Sequence, residues 1–233
     1  YLLAYQTTKN KTIAGLTLAV LALTPWHIYY SRMALEVVLM LLLGCLGTLT
    51  WLKQRWLLSA IFFAGGLYTY STAWLFVPVW IGVLAILTRS RPRFKAISLF
   101  LLLVLPLAAK IFFGPATGRF KSINFTANPE IVDKIVTLRQ ESGPLAGLIF
   151  HNKLESYLAA LTKNYLLAFS TDFLFVRGDP IYRHSIQVIG QMLPVFAPFL
   201  VIGLYQLAKR RQWLWLTWLV LAPFPSALTI EGG

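Results

Sequence analysis

Charge is scarce in this sequence, and acid is scarcer still. Only 12% of the 233 residues are charged, and eight acids stand against 21 Lys and Arg. Cysteine is nearly missing: Cys45 stands alone inside an apolar run, which excludes an intrachain disulfide and a cysteine-ligated metal. No internal repeat or low-complexity tract is present. A soluble domain carries about 25% charged residues and about 45–50% apolar ones. Here 58% are hydrophobic and the mean hydropathy is +0.67. That is more apolar surface than a water-soluble core hides, so the composition points to lipid as the solvent. A net charge of +13 in a soluble chain would suggest nucleic acid. The bases lie between apolar runs instead, which argues for a membrane surface and against a nucleic-acid partner. Tyr1 at the start and Gly232-Gly233 just past an apolar run suggest a piece of a longer protein, and no signal peptide is visible.

Uncharged apolar runs recur at 12–31, 33–52 (crossing Glu36), 56–88, 96–109, 184–208 and 212–230. A spanning helix needs about 20 residues. The 56–88 run has 33 residues and is basic at both ends, so it reads as two short crossings joined near 69–74. The expected fold is therefore all-α: a polytopic membrane protein with about seven transmembrane helices, plus outer interfacial amphipathic helices. Placing Lys9 and Lys11 inside puts 11 of the 21 bases in short inner loops, while the short outer turns hold only Arg32. The same scheme places all eight acids and His27, His151 and His184 outside. It predicts a multi-pass plasma (inner) membrane protein whose chemistry is extracytoplasmic. Residues 1–233 form part of one transmembrane domain, with 114–183 as its long extracytoplasmic segment. Within that segment, Ile131, Ile135 and Leu138, then Leu154, Leu158 and Leu161, fall at helical spacing and predict helices lying in the headgroup plane.

Two polar clusters interrupt the apolar background. One is Pro25-Trp26-His27-Ile28-Tyr29-Tyr30-Ser31-Arg32, continuing to Glu36. The other is Ser170-Thr171-Asp172, followed by Gly178-Asp179-Pro180 and Arg183-His184-Ser185. An acid entering a membrane helix costs roughly 2.5–3.5 kcal/mol at mid-bilayer and less near the surface. Arg32 offsets that cost for Glu36 if the two pair at i,i+4. The plain alternative is that Arg32 and Glu36 cap a helix end, Asp172 and Asp179 serve turns, and Arg183-His184 is a basic anchor.

The run Thr24-Pro25-Trp26-His27-Ile28, with Ser31, Arg32, Ala34 and Glu36, resembles a segment of polyprenyl-phosphate-sugar-dependent transferases of the GT-C superfamily. These include the protein mannosyltransferase and lipid A aminoarabinose transferase relatives. Residues 169–184 and 222–229 resemble later segments of bacterial members, in the expected order. The resemblance implies a membrane glycosyltransferase moving a sugar from a polyprenyl-phosphate donor to a lipid, protein or glycan acceptor on the extracytoplasmic face. Glu36, Asp179 and Asp172 are then the catalytic candidates, and Arg32, His27, Arg183 and His184 the substrate-binding ones. Such enzymes carry their principal acid in a first outer loop, which would lie upstream of Tyr1. Some relatives use a divalent metal, for which no ligand spacing is visible here. A flippase or transporter of a lipid-linked substrate, and a surface-polysaccharide polymerase or ligase, are the rival readings.

Overall fold

Prolines and left-handed residues cut the apolar runs into shorter pieces than composition alone suggests. The structure, a computed structural model, describes residues 1–113, 137, 153–181, 184–185 and 187–228. Among these, every regular element is helical and no strand occurs. α1 (Leu2–Thr8) ends at Lys9, whose φ of 55° stops it. α2 (Lys11–Leu23) starts behind Asn10, whose side chain accepts from the N–H groups of Thr12 and Ile13. Thr24 then turns extended and Pro25 opens α3 (Pro25–Arg32), bent by 59° from α2. Proline suits the first helical position because the N–H it lacks would have no intrahelical partner there. α4 (Glu36–Leu52) follows a break at Ala34, φ 50°. The long run divides at residues 70–72, inside the expected turn, into α5 (Trp56–Thr69) and α6 (Ala73–Thr88).

Length decides against seven crossings. About 20 residues at about 1.5 Å each are needed to cover a hydrocarbon core of about 30 Å. α4, α5 and α6 have 17, 14 and 16 residues. The described residues of the 184–208 run are irregular until a 3₁₀ turn (Pro194–Phe196), and only 13 residues follow as α-helix after it. The last run yields a nine-residue helix before Ala222 and Pro223. Among the described residues only α7 (Phe94–Phe113) is long and apolar enough to cross alone, over Phe94–Ile111. The bent α2–α3 pair makes a second if it counts as one span. The expected seven crossings are corrected accordingly. The alternation of inner and outer loops, and with it the multi-pass inner-membrane placement, loses its basis.

The chain divides into two compact units, residues 1–109 with 171–222, and residues 110–170 with 223–233. In the first, α4 packs along α5, α5 along α6, and α6 against the helix Trp213–Leu221. Its core gathers Trp51, Phe63, Leu67, Phe76, Trp80 and Leu84. Gly47 permits the close approach of α4 and α5, since a Cβ there would lie 2.7 Å from the Phe63 ring. Buried hydroxyls bridge the helices: Ser59 Oγ donates to the Gly47 carbonyl at 2.9 Å, and Trp80 Nε1 donates to Thr48 Oγ1 at 2.8 Å. Small and hydroxylated residues at helix contacts are how helices pack where apolar burial alone gives little drive.

In the second unit, α8 (Lys153–Leu167) packs on the short turn Phe224–Ala227, where Asn164 Nδ2 donates to the Ala227 carbonyl at 3.3 Å. α8 occupies the later of the two stretches read as interfacial. The earlier stretch, with Ile131, Ile135 and Leu138, lies outside the described residues.

Candidate functional site

The second polar cluster folds through an unusual turn. Residues Asp172–Val176 form a π-helix, with the N–H groups of Arg177 and Gly178 both donating to the Asp172 carbonyl, at 2.8 and 3.2 Å. Such wide turns are rare and concentrate at functional positions. Gly178 follows with φ 79°, a conformation that a side chain disfavours. The returning segment, residues 190–192, lies against the π-turn: Gln191 N–H donates to Phe173 O at 3.2 Å and Met192 N–H to Leu174 O at 2.7 Å. Gly190 makes that contact feasible. A Cβ there would sit 2.4 Å from the Phe175 backbone nitrogen.

Inside this loop Asp179 is buried, at 5% exposure. One carboxylate oxygen, Oδ1, accepts from the Ile181 N–H at 2.8 Å, closing the turn that Asp179-Pro180 suggests. The other, Oδ2, lies 3.3 Å from His184 Nδ1. Ser185, also buried, donates from Oγ to the Arg177 carbonyl at 3.2 Å and accepts from the Gln187 N–H at 3.1 Å. Gln187 Nε2 adds a contact to the Pro180 carbonyl. Asp179 thus has a partner at each of its carboxylate oxygens.

The first cluster meets the second through α3. Trp26 N–H donates to the Gln191 carbonyl at 3.3 Å, and the Tyr30 and His184 rings stand 6.2 Å apart. Trp26 packs edge-on against both His27 and Tyr30, at 5.4 and 5.8 Å. Pro25, Trp26, Tyr29, His184, Ser185 and Gln191 line a small cleft there, whose free volume of about 10 Å³ is that of one water. A larger ligand therefore meets the rim of aromatic rings rather than an enclosed chamber. His27 Nδ1 is buried with no hydrogen-bond partner among the described residues. Leaving a polar atom so costs about 1–3 kcal/mol, which makes this imidazole a place to look for a bound polar group.

The remaining candidates are distributed otherwise. Asp172 does not join Asp179: its Oδ1 takes the Arg177 Nε at 2.8 Å, in an exposed pair. That hydrogen bond, with the carboxylate's charge, holds the Arg177 guanidinium protonated above its ordinary range. Arg177 was missed by sequence reasoning because its five-residue spacing from Asp172 belongs to a π-turn and not to an α-helix. Arg32 and Glu36 are both exposed, and among the described residues no ion pair joins them. Their expected i,i+4 contact needs one continuous helix, whereas the chain leaves α3 at Met33 and turns left-handed at Ala34. Glu36 sits instead in the first turn of α4, where its charge meets the positive end of the helix dipole. Arg183 and His151 lie outside the described residues.

Among the described residues no group of three or more His, Cys, Asp or Glu is placed to hold a metal ion. Among the described residues Asp179 and His184 are two ligands where a protein-held ion generally needs three or more, so these residues alone do not make a metal site. The chain matches no family model, no curated protein and no solved structure.

Proposed function

We propose that this chain carries part of the active site of a membrane-anchored glycosyltransferase that uses a polyprenyl-phosphate sugar. The observation that carries the reading is the pair of buried Asp179 and half-buried His184 beside the rings of Trp26 and Tyr30. With Nδ1 donating to the carboxylate, His184 presents Nε2 as a proton acceptor, and Asp179 fixes the tautomer and the ring. In the transfer, the acceptor hydroxyl gives its proton to Nε2 as its oxygen bonds to the anomeric carbon. The bond from that carbon to the phosphate oxygen breaks, and its electron pair leaves with the polyprenyl phosphate. Flat aromatic faces suit the apolar side of a sugar ring. Arg32, at the end of α3, and Arg183, next to His184 in sequence, are the cations available for the developing phosphate charge. The resemblance of residues 24–36 and 169–184 to GT-C transferases supports the same donor.

The 59° bend between α2 and α3 favours one other reading, movement of a lipid-linked substrate, since bent or broken helices line substrate paths in transporters. One experiment separates the two. Membranes containing the protein are supplied with radiolabelled sugar on polyprenyl phosphate, and both sugar transferred to acceptor and donor crossing the bilayer are measured. Transfer supports the transferase. Crossing of intact donor with no transfer supports the transporter and removes the enzyme.

A further inference from the structure

At the other end of the first unit lies a cleft that the proposed transferase does not use. The loop between α4 and α5 and the loop between α6 and α7 meet there: Trp51 Nε1 donates to Thr88 Oγ1 at 3.1 Å, and Gln54 Nε2 to Ser90 Oγ at 3.3 Å. Both loops turn through left-handed residues, Gln54 at φ 59° and Arg89 at φ 49°. Between them opens a cleft of about 320 Å³, lined by Arg55, Trp56, Leu58, Arg93, Lys95 and others. Its three cations are exposed, and among the described residues none of them pairs with an acid. A cleft lined by charge of one sign focuses the field and concentrates anions in it. The N-termini of α5 and α7 open beside it and add partial positive charge.

The walls tell what carries the anion. Leu57 and Leu58, which line it, are 50% and 41% exposed. Phe94, between Arg93 and Lys95 in sequence but outside the lining, is 82% exposed. From there Leu101, Leu102 and Leu105 continue an exposed apolar strip along α7, the helix long enough to cross a membrane. Arg93 and Lys95 bracket the start of that span, the depth at which basic side chains meet lipid phosphates. A free phosphate would use the cations and leave the apolar walls wet. We infer that this cleft binds the phosphate headgroup of an anionic membrane lipid, with Arg55, Arg93 and Lys95 on the phosphate and an acyl chain along α7.

The test uses the purified protein in neutral detergent, and the probes are phosphatidylglycerol, phosphatidylcholine and inorganic phosphate. Bound lipid is measured after exchange. Phosphatidylglycerol is retained selectively, and inorganic phosphate neither binds comparably nor displaces it. Arg55→Gln, Arg93→Gln and Lys95→Gln each weaken retention about fivefold, and the triple variant about 100-fold. All three side chains are exposed, so the variants keep their melting temperature. Removing the same charge elsewhere, by Lys209→Gln, Arg210→Gln and Arg211→Gln together, leaves retention unchanged. Equal retention of the two lipids, displacement by inorganic phosphate, or an equal loss in the 209–211 variant would each overturn the site. Sugar transfer plays no part in the readout, so this inference fails or stands independently of the transferase.

Discussion

Trp80 Nε1 donates to Thr48 Oγ1 at 2.8 Å, and both residues are wholly buried. The same hydroxyl donates in turn to the Gly44 carbonyl at 2.8 Å, so one threonine joins α6 to α4 and to its own preceding turn. Thr48→Val keeps the shape and removes the acceptor, leaving the indole N–H stranded. A loss of about 1–3 kcal/mol is expected, read as earlier thermal unfolding in detergent. Unchanged unfolding would mean that the indole finds another acceptor.

Gly47 is the second test of that core. An added Cβ meets the Phe63 ring at 2.7 Å, and Phe63 is 1% exposed, so it has nowhere to retreat. Overpacking costs about 1–3 kcal/mol, against about 1 kcal/mol regained from the better helix propensity of alanine. Gly47→Ala is therefore expected to destabilise, whereas Gly82→Ala, with nothing within 4 Å, is expected to stabilise slightly. Melting curves of the two variants should move in opposite directions.

Gly190 tests the loop that holds the candidate site. Alanine there collides with the Phe175 backbone, which no rotamer change relieves. Gly190→Ala should separate residues 190–192 from the π-turn and disturb His184. Proteolysis near residues 173–191 should speed up in the variant, and sugar transfer should fall with it. Wild-type proteolysis would show that the backbone contact is dispensable.

The membrane claim rests on α7. Leu102 is 66% exposed near the middle of the Phe94–Ile111 stretch. An arginine at mid-bilayer costs roughly 2.5–3.5 kcal/mol of insertion. Leu102→Arg should sharply reduce insertion of this helix into microsomes in a glycosylation-mapping assay. Equal insertion would remove the one unbroken candidate span among the described residues.

The sequence shows some of the helix breaks and hides others. The stretch from Tyr70 to Thr72 is legible as a turn from the excess length of its run and the interfacial aromatics there, whereas the break at Thr24-Pro25 falls inside a run, 12–31, that reads as one crossing. Apolar composition alone overlooks the breaks at Pro194 and at Ala222-Pro223, where prolines stand inside uncharged runs, so it counts crossings where the helices are short. Of the candidate site, the Asp179–His184 pair was visible as a polar cluster, and its turn follows from Asp-Pro. The pairing of Arg177 with Asp172 was hidden by its π spacing, and the separation of Arg32 from Glu36 by the left-handed Ala34, a conformation that alanine seldom adopts. Gly190 looked like any glycine, because its purpose lies in the distant Phe175 backbone.

The central claim is that His184, held by Asp179, takes the proton of the acceptor. Its most direct test is the initial rate of radiolabelled sugar transfer from a polyprenyl-phosphate donor, in membranes with matched amounts of folded protein. General-base groups contribute typically 10²–10⁴-fold, so His184→Gln should lower the rate by about that factor. Asp179→Asn should lower it too, while Glu36→Gln, an exposed helix-end change worth about 0.3–1 kcal/mol, should leave it nearly unchanged. Near wild-type transfer by the His184 and Asp179 variants, or a loss confined to the Glu36 variant, would contradict the account.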